Sequence, residues 1–91
     1  MIVSNVRTRP LIRFAIVIEK TETGHIAYVP DLPGCTAEGK SVGLVQHAIR
    51  NIVQVELTQM RAHGMTVPLP SSQVGYVEIP EQLVMGSSSA P

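Results

Sequence analysis

Between residues 11 and 20, in LIRFAIVIEK, Ile12, Phe14, Ile16 and Ile18 alternate with Arg13, Ala15, Val17 and Glu19. A period of two, rich in β-branched and aromatic side chains, predicts a strand with the Ile12, Phe14, Ile16 and Ile18 face on the core. TETG is polar and ends in glycine, the composition of a hairpin connection. HIAYVP is then the returning strand, stopped by Pro30, which has no N–H for a ladder. CTAEG predicts a short third strand, and VGYVEIP, residues 74–80, alternates again and predicts a last one.

The period changes between residue 42 and about residue 63. Val42, Val45, Ile49, Ile52, Val53, Leu57 and Met60 fall on one stripe at about 100° per residue, which predicts a helix. Ser41 suits its N-cap and Gly64 its stop. Leu44, Ala48 and Val55 widen the apolar arc to about 220°, more than one sheet face covers, so the helix is expected to touch a second surface. His47, Arg50, Asn51, Gln54, Thr58 and Arg61 hold the opposite arc.

YVPDLPGC joins the second and third strands. Pro33 presets the second position of a turn, and Gly34 accepts the positive φ of type II. Asp31, the only aspartate in the chain, is expected to cap backbone N–H groups of this turn. Pro30, Asp31, Pro33 and Gly34 thus form a shape-determining turn, with no catalytic or metal role.

The order strand, strand, strand, helix, strand gives an α+β fold, β-β-β-α-β. It consists of an antiparallel meander, a helix on one face, and a fourth strand parallel to the first through a right-handed crossover. Residues 1–10 are read as an N-terminal arm, 11–80 as the domain, and 81–91 as a flexible tail.

With 91 residues, 44% hydrophobic and 15% charged, the chain is one small globular domain. Such a core is marginal, and oligomerisation is a common remedy. Seven basic residues balance seven acidic ones, which argues against a nucleic-acid binder driven by phosphate attraction. Arg7, Arg9 and Arg13 are read as a solvated arm. The one cysteine, Cys35, can form no internal disulfide and no thiolate zinc site. No signal peptide or membrane-spanning run is evident, so a cytoplasmic location is expected. Cys35 lacks a local base and is read as a small buried thiol. His25, His47 and His63 show no ligand spacing and are read as surface residues. Glu19, Asp31, Glu38 and Glu78 do not converge as a two-metal nuclease requires. No enzyme activity, cofactor or metal is expected.

The run from Phe14 to Ile79 resembles the HicB family of type II antitoxins. The residues that carry the likeness are Gly24, Ala27, Pro30, Asp31, Leu32, Pro33, Gly34, Cys35, Gly39, Ser41 and Asn51. The resemblance implies a partial RNase H-like fold, a homodimer or higher oligomer, and a HicA-like toxin, a small RNA-cleaving protein whose active site the antitoxin covers. Family members carry acidic residues in the first helical turn, where this chain has Gly43 and Leu44. Many also end in a DNA-binding domain, for which too few residues follow the last strand here, so no direct DNA binding is expected.

A toxin that holds RNA must be basic. Glu19, Glu22, Asp31 and Glu38 could supply the complementary charge. Leu44, Ala48 and Val55, or the open edge of the third strand, could form an oligomer interface. The competing reading is an orphan homo-oligomer of the same fold, structural or binding a small ligand, with no toxin.

Overall fold

The computed structural model describes residues 11–89. The arm at residues 1–10, with Arg7 and Arg9, lies outside the described residues, as do residues 90 and 91. Three strands, β1 (Val17–Lys20), β2 (His25–Tyr28) and β3 (Thr36–Gly39), are followed by helix α1 (Val42–Ala62) and helix α2 (Glu81–Ser89). The strands form an antiparallel sheet in the order β1-β2-β3. Val17 pairs with Tyr28 and Lys20 with His25, while Ala27 pairs with Ala37 and Tyr28 with Thr36. The architecture is α+β, as expected.

The β1–β2 turn closes when the Thr21 N–H donates to the Gly24 carbonyl at 2.8 Å. Glycine is required at 24, because a Cβ there would collide with the Gly39 carbonyl oxygen. Beyond β2, two turns follow in succession. The Leu32 N–H donates to the Val29 carbonyl (3.0 Å) and the Cys35 N–H to the Leu32 carbonyl (3.1 Å). Gly34 has φ +97°, the positive value that a type II turn demands after Pro33. The turns seat Val29, Leu32 and Cys35 in the core, all at most 4% exposed.

α1 begins where the Ser41 hydroxyl oxygen accepts the Leu44 N–H at 3.2 Å. It ends where Gly64, at φ +72°, turns the chain and the Met65 N–H donates to the Met60 carbonyl at 2.8 Å. Val45 and Ile49 are buried against Ala27, Val29, Leu32, Cys35 and Ala37. Ala48, Val53 and Leu57 pack around them, together with Phe14, Ile16 and Ile18. Twenty-one residues make a helix about 31 Å long, whereas four-residue strands span about 13 Å. The helix therefore overhangs the sheet.

Three expectations are corrected. The first strand covers only Val17–Lys20. Continuing the register would set Ala15 opposite Pro30, which cannot donate, so residues 11–16 run on without a ladder. Ile12, expected in the core, is 65% exposed. Residues 74–79 form no strand, because no strand edge lies against them, and all are exposed. The supposed tail from residue 81 carries α2, with Glu81 in its first turn, where an acid suits the helix dipole.

Candidate protein-binding face

A strand's side chains alternate between faces, and α1 covers the face that holds Ala27 and Ala37. Among the described residues, nothing covers the opposite face. Across it, Glu19 pairs with Ile26 and Ile26 with Glu38, giving a row that sets an apolar side chain between two carboxylates. Strand spacing puts the two glutamate backbones about 10 Å apart. The next row is Val17, Tyr28 and Thr36. Glu19, Glu38 and Thr36 are exposed, while Val17, Ile26 and Tyr28 are half-buried. Glu22 is exposed in the adjoining hairpin turn. The face is an apolar strip flanked by acids.

Asp31 sits elsewhere and does other work. Its Oδ2 accepts the N–H groups of Ser71 (2.9 Å) and Ser72 (3.1 Å). Its Oδ1 accepts the hydroxyls of Ser71 (3.0 Å) and Ser72 (2.7 Å). Those four bonds occupy the acceptor sites of a carboxylate, leaving none for a partner's cation. The Ser71 N–H, the Ser72 hydroxyl and the Ser72 N–H favour the charged form in that order. They outweigh desolvation and lower the pKa from 3.8 to about 2. The expected cap on its own turn is thus replaced by a clamp on a segment forty residues away. SerSer after a proline-rich loop carries no periodic signal, which is why sequence reasoning missed it.

The remaining candidates separate. Leu44 and Val55 are exposed, at 59% and 55%, whereas Ala48 packs on the core. Cys35 is buried, and desolvation, followed by the charge of Glu56, raises its thiol pKa. A raised pKa suppresses the thiolate that a nucleophile needs. His25 is not a surface residue as expected. It is half-buried because its position faces α1, and its Nδ1 is shielded without a hydrogen-bond partner. His47 and His63 are exposed. The His63 ring bonds the Gln59 carbonyl through Nδ1 at 2.8 Å, which helps finish α1. Among the described residues, no three His, Cys, Asp or Glu side chains gather as metal ligands. No described helix is long and apolar enough to cross a membrane.

A second feature lies on the helix side. An apolar groove of about 530 Å³ runs between the approach to β1 and α1, with Phe14, Ile16, Ile49, Val53, Leu57 and Leu69 in its walls.

No family model matches the chain. A UPF0150 protein of Archaeoglobus fulgidus is 39% identical over 46 residues, which is 50% of this chain and 67% of that protein. A UPF0150 protein of Helicobacter pylori is 53% identical over 36 residues, 40% of this chain and 46% of that protein, so the chain spans about half the length of this second relative. The archaeal protein is matched over two thirds of its length, and on that match the chain belongs to the UPF0150 family.

Proposed function

We propose that the protein is an antitoxin-type binding module of HicB kind, which neutralises a small basic RNA-cleaving toxin of HicA kind by covering its active site. The observation that carries this reading is the uncovered sheet face, where Glu19 and Glu38 flank Ile26. An RNA-binding cleft presents cations around a surface that bases stack on. An acidic rim around an apolar strip complements both features, and the charges steer encounter. Glu22 extends the acidic edge. The protein acts by occlusion, without catalysis, cofactor or direct DNA contact, in the cytoplasm. Its fold is of the partial RNase H-like kind.

The test is co-expression with a small basic protein encoded beside this one, followed by co-purification and a growth assay. A complex that relieves growth arrest supports the reading. Exchanging both Glu19 and Glu38 for Lys should slow association about tenfold at low salt and weaken its salt dependence. Association kinetics identical to the parent would remove this face from the interface. The alternative, an orphan homo-oligomer that is structural or binds a small ligand, is favoured by the apolar groove and by the exposed side chains that follow α1. No complex and no rescue would select it.

A further inference from the structure

The groove on the helix side has walls of two chemistries. On α1, Ile49, Val53 and Leu57 recur every four residues and form one ridge, and Gln46, Arg50 and Gln54 form the next. The first ridge is the apolar inner wall, with Ile49 buried and Val53 and Leu57 half-buried. The second is exposed and sets one cation between two amides. The approach to β1 repeats the arrangement, with Phe14 and Ile16 half-buried and Arg13 exposed between Ile12 and Phe14. Val67, Pro68 and Leu69 wall the third side.

Exposure and charge set this groove apart from ordinary surface. Leu11, Ile12 and Leu69, which also line it, are 90%, 65% and 73% exposed. A soluble domain seldom leaves that much apolar side chain together in water without a use for it. No acid lines the groove. Glu56, the only acidic residue of α1, is not in its walls. Among the described residues, neither Arg13 nor Arg50 has an ion pair or a hydrogen bond. Two guanidiniums beside a low-dielectric wall, with no carboxylate to neutralise them, give the cleft a positive potential. Its volume of about 530 Å³ lies within the roughly 300–1,000 Å³ of small-ligand sites.

We infer that this groove binds a small amphipathic carboxylate, a free acid with an unbranched apolar chain. The chain lies along the ridge of Ile49, Val53 and Leu57, facing Phe14. That ridge runs roughly 12 Å along the helix, the length of a chain of about ten carbons. The carboxylate stays at the rim, where Arg13 and Arg50 supply cationic N–H donors and the glutamines supply amide ones. A cation at the same end would meet two like charges. A cleft walled on three sides admits one chain and excludes the flat surface of a bilayer. The site lies across the sheet from Glu19, Ile26 and Glu38, so the inference does not rest on the antitoxin reading. It gives the small-ligand reading a ligand class.

The experiment titrates the full, methyl-labelled chain with decanoate, octanoate and decylammonium at neutral pH, each below its micelle-forming concentration. Calorimetry gives the affinities, and methyl shifts of Val53, Leu57 and Leu69 give the place. Decanoate should bind in the sub-millimolar range and shift the groove methyls. Octanoate, two methylenes shorter, should bind about tenfold more weakly. Decylammonium should bind about tenfold more weakly than decanoate, because both arginines change from attracting to repelling. In the double variant Arg13→Gln, Arg50→Gln the two ten-carbon ions should come within about twofold of each other. Both arginines are exposed and unpaired, so the variant should keep the parent's fold and its Tm. No binding of decanoate, equal affinity of the two ions for the parent, a preference that survives the double variant, or shifts on the opposite sheet face would each overturn the inference. None of these results bears on the co-expression test, which reads that opposite face.

Discussion

Ile49 and Ile52 are identical side chains three residues apart on one helix, and the fold assigns them opposite fates. Ile49 is 1% exposed, between α1 and the sheet, whereas Ile52 is 36% exposed. Replacing Ile49 by Ala removes three carbon groups from a sealed site, about 2.4 kcal/mol at about 0.8 kcal/mol each. An unfilled cavity adds about 1 kcal/mol, which brings the loss to about 3–4 kcal/mol. Water fills the space left by Ile52→Ala, so only the partial transfer loss applies, about 1–1.5 kcal/mol. A chain of this size has a total stability of roughly 5–10 kcal/mol. Ile49→Ala therefore costs a third or more of it and lowers Tm by about 15–25 °C, against about 5–10 °C for Ile52→Ala. Urea and thermal unfolding at one fixed protein concentration measure both, since association would couple stability to concentration. Equal losses would refute the orientation of α1. The assignment of Glu19, Ile26 and Glu38 to the uncovered face would fall with it.

Two glycines should respond in opposite directions. Gly24→Ala forces a Cβ into the Gly39 carbonyl and should cost about 1–3 kcal/mol; Gly43→Ala meets nothing within 4 Å in the first turn of α1 and should gain about 0.5–1 kcal/mol, both read from urea midpoints. Asp31→Asn should release residues 71–72, seen as faster amide exchange there with little change at Ile49. The folded-state pKa of Asp31 is lowered, so its stabilisation is complete above its unfolded value near 3.8 and fades as pH falls through about 2. The parent should lose stability more steeply than Asp31→Asn between pH 4 and pH 2. Parallel acid-unfolding curves would show that the clamp contributes nothing.

Where local chemistry decides structure, the chain was readable from its sequence. The period change at Val42, the Ser41 cap, the Gly64 stop and the Pro33–Gly34 turn each depend on neighbours within four residues, and each lies where the pattern put it. The strand ends were less readable, because a strand is only as long as its partner. The alternation of residues 11–20 is genuine, but Pro30 on the other strand cuts the ladder short. The alternation of residues 74–79 is equally genuine, and nothing in its own residues says which edge it meets. The carboxylates divided in the same way. The register brings Glu19 and Glu38 to one row, which strand parity alone could have suggested. The capture of Asp31 by Ser71 and Ser72 spans forty residues and leaves no periodic trace.

The sheet order β1-β2-β3, with α1 following directly, makes each element a spatial neighbour of the next in the chain. Short loops close quickly, and folds built from adjacent contacts have low contact order and fold fast. The core can therefore form during synthesis, before residues 73–89 have any role, with the Asp31 clamp as its last long-range step. Any association would then start from finished cores, at a rate set by protein concentration rather than by the search of the chain.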